Sequence, residues 1–197
     1  MPRFRRHRRQ PGEATSADEH LVARAQQGDL EAFGALYDRY QGRVYAYCYR
    51  LLGDREAAED ANAAVFMRAL GALSTYRVGS FRSWLFAIAH NVVTDELRRR
   101  RPTEPLAVAM TMVDAGPSPD EVVSGRADHA EVMAILPQLS DDQRQVIALR
   151  LSGLSAVEIG EALGKPRNAI DGIHHRALLR LRSLVATGDA ATTNGRG

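Results

Sequence analysis

The chain has 197 residues, 45% of them hydrophobic, and a net charge of +2, which allows one domain or two small ones. Its one cysteine, Cys48, excludes an internal disulfide and a cysteine-based zinc site, so we expect a small buried hydrophobe in a reducing, cytoplasmic setting. No apolar run approaches the ~18 residues of a membrane span, and the N-terminus lacks the apolar segment of a signal peptide.

Residues 1–17 are predicted to be a disordered basic tail. Residues 1–10 contain five arginines and no acidic residue, and no helical periodicity follows them. Such a block can add nonspecific affinity for DNA or can be a solvated run, and the sequence leaves both open.

Residues 18–101 are predicted to form four helices. The first ends near Gly28, the second lies between a cap at Asp29 and a stop at Gly53, and the third begins at a cap at Asp54. In the second helix, aromatic and aliphatic residues recur every three or four positions, which indicates one buried face.

The fourth helix follows a loop, residues 74–80, and reads SFRSWLFAIAHNVVTDELRRRR from a cap at Ser80. Apolar residues at near-helical spacing predict a buried stripe, and Trp84 is expected to pack in the core. The helix ends in Arg98–Arg101, where the helix dipole favours cations. The basic end is either a solvated terminus or a surface that holds phosphates.

Residues 102–125 contain four prolines and no sustained period, which predicts a flexible linker. Helices resume over residues 126–185, about four of them, and residues 186–197 are predicted to be a second disordered tail. No segment reads as a strand. The predicted fold class is therefore all-α, with two small helical domains joined by the linker.

The segment SAVEIGEALGKPRNAIDGIHHRALLRLR, residues 155–182, has the signature of a helix-turn-helix. A capping box at Ser155 opens a short helix, Gly164 and Pro166 break it, and a longer helix with an apolar back follows; a similar capping box starts at Ser140. The start of the second helix of this motif enters the major groove of DNA, although an αα-hairpin with a solvated face is the plain alternative. The two adjacent histidines diverge by about 100° on a helix, which favours a groove or solvent role over metal binding. The candidate DNA-contacting residues are Lys165, Arg167, Asn168, Asp171, His174, His175, Arg176 and Arg180.

Several stretches together resemble the bacterial sigma-70 family of RNA polymerase sigma factors, in its small extracytoplasmic-function (ECF) type. In the first unit they are LVARAQQGDLEAFGALYDRY, GDREAAEDANAAVFMRAL and FRSWLFAIAHNVVTDELRRRR, and in the second LPQLSDDQRQVIALRLSGLSAVEIGEALG. The resemblance covers about residues 18–101 and 126–184. It implies that residues 18–101 are sigma region 2, which binds core polymerase and recognises and melts the −10 element, and that residues 126–185 are region 4, which reads the −35 element.

The resemblance also implies partners and roles. The helix over residues 54–72 would dock on the coiled coil of the polymerase β′ subunit, and the second unit would meet the β flap. Tyr76 and Phe81 could stack on unpaired bases, where one contact contributes ~1–3 kcal/mol. The residues implied in core-polymerase binding are Glu59, Asp60, Ala63, Ala64, Met67 and Arg68. Those implied in −10 binding are Tyr76, Arg77, Ser80, Phe81, Asn91, Asp95, Arg98, Arg99 and Arg100.

Two departures from the family pattern matter. Ala63 and Ala64 stand where the family usually has Gln-Glu, which puts the strength of polymerase binding in doubt. Residues 168–173 replace the common Gly-Thr-Val-Lys-Ser-Arg, so a Lys and an Arg become Asp171 and Ile173. Asp171 would repel phosphates and could accept a hydrogen bond from cytosine N4, so the family's −35 sequence does not carry over.

The implied function is promoter-specific transcription initiation, without catalytic residues, metal or cofactor, and under the possible control of an anti-sigma factor. A stand-alone helix-turn-helix regulator is the alternative, but it leaves the helix from Ser80 to Arg101 without a role. Catalytic signatures such as GxxxxGK[ST], HExxH, GxSxG and GxGxxG do not occur in the sequence, which argues against an enzyme.

Overall fold

The computed structural model describes residues 11–77, 79–100 and 135–193, with side chains from residue 17 to residue 184 of those ranges. These residues form seven α-helices and two 3₁₀ turns, with no strand among them. The predicted all-α class is thus confirmed. The predicted linker 102–125 and residues 1–10 of the predicted tail lie outside the described residues.

The first unit contains four helices whose ends follow local signals in the sequence. The Asp29 carboxylate accepts a hydrogen bond from the amide of Ala32 at 3.0 Å, and Asp54 does the same for Ala57 at 2.8 Å. Gly53 adopts a left-handed conformation with φ of 67°, which ends the second helix. The elements are α1 (Pro11–Gln26), α2 (Leu30–Leu52), α3 (Arg55–Ala72), a 3₁₀ turn (Leu73–Thr75) and α4 (Phe81–Arg100).

The described part of the second unit contains a 3₁₀ turn followed by three helices. Both predicted capping boxes form: the Ser140 hydroxyl accepts from the Gln143 amide at 3.4 Å, and that of Ser155 accepts from the Glu158 amide at 3.3 Å. The elements are the turn Leu136–Gln138, α5 (Asp141–Leu151), α6 (Ala156–Leu163) and α7 (Arg167–Thr193). Helices α6 and α7 form the predicted helix-turn-helix.

Two predicted tails are partly helical instead. Helix α1 begins at Pro11 within the predicted tail 1–17, because proline is favoured in the first turn of a helix, where its missing N–H is not needed. Asp18 then ties α1 to α2 by accepting hydrogen bonds from Arg39 and Tyr40. At the other end, α7 runs to Thr193 through part of the predicted tail 186–197, which holds three alanines and no proline up to that point.

The core of the first unit is built where α2, α3 and α4 meet. Leu36, Val65 and Phe86 are almost completely buried there, and each such side chain stabilises the fold by about 1.5–3 kcal/mol. Cys48 lies in this core as expected, and burial raises the pKa of its thiol to about 12.

The two units are not separate in the structure, since α6 packs on α4 and α5 packs on α2. Buried residues of the second unit, among them Val146, Leu154 and Ile159, belong to one continuous hydrophobic cluster with Leu85 and Phe86 of the first. The sequence predicted two helical units but not this contact between them.

Candidate nucleic-acid interface

Helix α3 has one face in the core and one in solvent. Ala58, Ala61 and Phe66 are buried against its neighbours. On the other side Met67 and Leu70, one turn apart, are 71% and 40% exposed, so this face presents adjoining apolar side chains that suit a protein partner. Of the residues predicted to bind core polymerase, five are exposed and Ala64 is half-buried; the five are Glu59, Asp60, Ala63, Met67 and Arg68.

A cleft between α3 and α4 brings the two predicted contact sets together. Arg68, predicted to face polymerase, donates to the carboxylate of Asp95, predicted to face DNA, over 3.4 Å. Farther along, the guanidinium of Arg100 lies 3.9 Å from the carboxylate of Asp54. The cleft is therefore lined by paired charges of both signs.

The basic end of α4 is partly neutralised by acids of the same helix. Glu96 accepts hydrogen bonds from Arg99 and from Arg100, the latter at 2.8 Å. Arg98 is 74% exposed and reaches Asp95 only at 3.9 Å. All three arginines are exposed, so they can exchange these acids for phosphates, and Arg98 has the loosest partner.

The loop before α4 is organised by an aromatic cluster. The ring of Tyr76 lies edge-on to those of Trp84 and Phe81, with centroids 5.2 and 6.0 Å away. The Gln26 side chain of α1 donates to the carbonyl oxygens of Leu73 and Tyr76, both at 2.9 Å, and so fixes the loop. Trp84 is half-buried and packs against the core, as its predicted core role requires.

The prediction for Phe81 needs correction. Phe81 is only 3% exposed and packs against Tyr40 of α2 with centroids 5.7 Å apart. Its ring is part of the core, because the apolar stripe of α4 begins at its first residue. It therefore cannot stack on a base in this structure, whereas Tyr76 is half-buried and Arg77, Asn91 and Asp95 are exposed.

The helix-turn-helix presents its predicted DNA-contacting residues at the surface. Lys165 pairs with Asp142 of α5 at 2.9 Å, and Arg167 lies 3.5 Å from Asp171, one turn along α7. His174 is half-buried; burial, with the charge of Arg150, lowers its pKa, so it is neutral at physiological pH. The exposed members of the set are Arg167, Asn168, Asp171, His175, Arg176 and Arg180.

Gly160 is a structural requirement of this motif that the sequence did not indicate. A Cβ at this position would lie 2.6 Å from the backbone oxygen of Lys165. The turn between α6 and α7 therefore passes so close to Gly160 that only glycine fits.

Two known family patterns match this chain, one in the first helical unit and one in the second. The pattern described as Sigma-70 region 2 matches residues 36–103, and that described as Sigma-70, region 4 matches residues 135–183. Together they cover more than half of the chain. The chain belongs to the sigma-70 family.

Relatives of this sigma factor are of the ECF type. It is 35% identical to the ECF RNA polymerase sigma factor BldN of Streptomyces coelicolor over 91% of this chain and 70% of that protein. It is 30% identical to the ECF RNA polymerase sigma factor SigW of Bacillus subtilis over 82% of this chain and 92% of that protein. The protein is therefore an ECF RNA polymerase sigma factor.

A solved structure supports the fold of this sigma factor. CnrH, determined in complex with the cytosolic domain of CnrY, superimposes with a TM-score of 0.68 at 29% identity, over 87% of this chain and 98% of that one. CnrH is the RNA polymerase sigma factor of that name from Cupriavidus metallidurans.

Family membership gives this sigma factor its function, which is to bind core RNA polymerase and direct it to promoter DNA. The alternative of a stand-alone regulator is not favoured, because region 2 accounts for the first unit. Within the described residues, His, Cys and acidic side chains do not gather in a group that could hold a metal ion. None of the helices in that part of the chain is long and apolar enough to span a bilayer.

Proposed function

We propose that the two units divide promoter recognition between them, with the boundaries predicted from the sequence: residues 18–101 for polymerase binding and the −10 element, and residues 126–185 for the −35 element. The exposed face of α3 contacts the β′ coiled coil. The second unit adds a contact to the β flap and places the start of α7 in the major groove.

The observation that carries this proposal is the exposure of the two basic surfaces. The arginines at the end of α4 and the polar side chains at the start of α7 project away from the core, while the opposite sides of both helices are buried. Exposed cations can release counterions from the DNA backbone, and this release supplies essentially all of the nonspecific affinity of proteins for DNA.

The −10 contact is proposed without Phe81. Tyr76 provides the stacking surface, since it lies at the rim of the aromatic cluster, and a stacked base contributes about 1–3 kcal/mol. The arginines of α4 hold the phosphates of the opened strand. Together these contacts offset the few kcal/mol that unstacking a base costs. The chain itself needs no metal, cofactor or catalytic residue for this work, and it acts in the cytoplasm.

An anti-sigma factor is proposed as a further partner. CnrH, the relative of known structure, was determined with the cytosolic domain of a second protein bound. A similar inhibitor would act here by covering the polymerase-binding or promoter-binding surfaces.

A pair of matched variants tests the polymerase contact. Met67 on α3 and Leu30 at the start of α2 are both 71% exposed, but only Met67 lies on the proposed surface. Met67→Ala should weaken the binding of purified core polymerase several-fold in a pull-down titration, and Leu30→Ala should leave it unchanged. Equal affinity of the two variants for core polymerase would remove the exposed face of α3 from the interface.

A further inference from the structure

Beside the hydrophobic cluster that joins the two units, they share a charged contact centred on Glu158 of α6, the first helix of the helix-turn-helix. Arg82 of α4 donates to both carboxylate oxygens, with Nη2 2.6 Å from Oε1 and 2.7 Å from Oε2, and with Nε 2.8 Å from Oε1. The Ser80 hydroxyl donates to Oε1 over 3.0 Å. The pair is shielded from water, since Arg82 is 23% exposed and Glu158 13%.

The donors around this carboxylate are those with which proteins bind phosphate. A guanidinium fork and a hydroxyl at the start of a helix both suit an anion with two acceptor oxygens. The helix dipole adds a positive field there. Ser80 stands at the N-terminus of α4, where its oxygen also accepts from the amide of Ser83 at 3.3 Å. Glu158 thus fills a place that a DNA phosphate could occupy.

Closure at this point is incompatible with binding both promoter elements. The −10 and −35 elements lie about 25 base pairs apart, which is roughly 85 Å along the duplex at 3.4 Å per base pair. In the structure, the loop assigned to the −10 element and the helix-turn-helix are in direct hydrogen-bond contact. The units must therefore separate before both elements are engaged.

We propose that Glu158 is an internal substitute for a DNA phosphate, which holds the helix-turn-helix unit closed over Ser80 and Arg82 until promoter DNA displaces it. This inference depends on the proposed assignment of the loop and α4 to the −10 element. It makes Arg82 a further DNA-contacting residue, in addition to those that the sequence indicated.

The chain offers a substitution that removes the charge without removing the helix cap. Glu158 Oε2 also accepts from the backbone amide of Ser155 at 2.9 Å, and glutamine serves equally well at this position of a capping box. Glu158→Gln therefore weakens the contact with Arg82 and keeps α6 intact. Glu161→Gln makes the same chemical change at an exposed position of the same helix and is the control.

Closure is measured in the full chain by the distance between two spin labels. Glu31→Cys on α2 and Arg182→Cys on α7 are exposed labelling positions, and the native Cys48 is buried and inert to the label. Glu158→Gln and Arg82→Gln should each shift the population about tenfold toward longer distances, which corresponds to about 1.4 kcal/mol. The Glu161→Gln control should keep the distance of the parent chain. A parent distance distribution that neither Glu158→Gln nor Arg82→Gln changes would overturn the proposal.

The affinity for DNA distinguishes the role of Glu158 from that of Arg82, because the two variants should change it differently. A short fluorescein-labelled single-stranded oligonucleotide of random sequence is titrated with each variant, and its anisotropy is followed. Glu158→Gln should bind several-fold more tightly than Glu161→Gln, because the donors are released. Arg82→Gln should open the chain without this gain, and its salt dependence should fall by about 0.7 in slope. An equal gain in both variants would contradict the phosphate role of Arg82.

Transcription distinguishes this inference from the proposed function. If the parent chain directs specific initiation with core polymerase while Glu158→Gln changes neither distance nor DNA affinity, closure is wrong and the division of promoter recognition stands. If Glu158→Gln opens the chain and binds DNA more tightly but Ala replacements of Arg98, Arg99 and Arg100 leave initiation unchanged, closure stands and the assignment of the basic end of α4 fails.

Discussion

Arg68 of α3 and Asp95 of α4 form an ion pair across 3.4 Å, although the sequence assigns one to polymerase and the other to promoter DNA. Both side chains are about half exposed, so the pair contributes little to folding, ~0.2–1 kcal/mol. On the proposed assignments, a polymerase surface docked on α3 would lie next to the DNA held by α4.

The first prediction concerns this pair. Asp95→Asn should lower the free energy of unfolding by less than about 1 kcal/mol, because the pair is solvent-exposed. Open-complex formation should fall much more, since Asp95 is proposed to face the −10 DNA. Urea unfolding and abortive transcription measure the two quantities on the same preparation. A loss of initiation fully explained by a loss of folded protein would contradict the DNA role.

The second prediction concerns the basic end of α4. Replacing Arg98, Arg99 and Arg100 by Ala should weaken open-complex formation and flatten its dependence on salt, by up to about 0.7 in slope for each phosphate of the opened strand that is no longer bound. Glu96→Gln should act in the opposite direction, because Glu96 now holds Arg99 and Arg100. Open-complex lifetimes measured over a range of salt concentrations check both signs. Unchanged transcription of the Ala variant at raised salt would count against phosphate binding.

The third prediction concerns the recognition helix. Asp171 lies 3.5 Å from Arg167, so a change at Asp171 also frees an arginine next to it. Asp171→Lys should change which −35 sequences are used, because a cation replaces an acceptor suited to a cytosine amine. Selection from a randomised −35 library with the reconstituted holoenzyme measures the preference. A preference identical to that of the parent would remove Asp171 from the reading set.

The fourth prediction uses two glycines of the second unit. Gly160→Ala should destabilise the helix-turn-helix, because the added Cβ would lie 2.6 Å from a backbone oxygen, and overpacking of this kind costs about 1–3 kcal/mol. Gly172→Ala is the matched control: its Cβ would meet only the flexible end of Arg176 at 3.4 Å. That control should stabilise α7 by about 1 kcal/mol. Thermal unfolding of both variants tests the contrast, and equal stability would contradict the close approach at Gly160.

The fifth prediction is a pH dependence of closure. Burial lowers the pKa of His90, and so do the charges of Lys165 in the second unit and Arg98 in the first. Because Lys165 moves away from His90 when the units separate, the closed form binds a proton less readily than the open form. The stability of the closed form relative to the open form is therefore full above the ordinary histidine pKa of about 6.5. It falls as the pH drops below that value.

Protonation of Glu158 also weakens the closed form, at a lower pH than that of His90. Burial alone would raise the pKa of this carboxyl, but hydrogen bonds from Ser155 and Arg82 hold it below its usual range. The ionised Glu158 carboxylate stabilises the closed form fully above the ordinary glutamate pKa of about 4.3. This stabilisation is lost as the pH falls through the lowered pKa of Glu158. The spin-label distance should therefore lengthen on acidification, and His90→Phe should remove the part that begins near pH 6.5. A distance that shortens with acid would contradict the sign.

Local signals in the sequence predicted much of this fold. The caps at Asp29, Asp54 and Ser155 and the stop at Gly53 each depend on a residue and its neighbours within one turn, so the sequence alone indicated where these helices start and stop. The start of α1 and the end of α7 were harder to predict. Residues 11–17 and 186–193 contain neither a strong helix stop nor a strong apolar periodicity.

Long-range contacts could not be predicted in this way. Glu158 was recognised as part of a capping box, but its second role depends on Arg82, 76 residues away along the chain. Phe81 begins the apolar stripe of α4, and its place in a family pattern also assigned it to DNA; the packing of α4 on α2 decides between the two, because its ring faces Tyr40. The surface residues assigned to promoter and polymerase remain predictions until they are tested.

Transcription in vitro with purified core polymerase, with start sites mapped across the protein's own genome, tests the central claim most directly. We expect specific start sites that depend on this protein and share sequence at both the −10 and the −35 positions. Initiation that never depends on the protein, on any template of that genome, would contradict the claim.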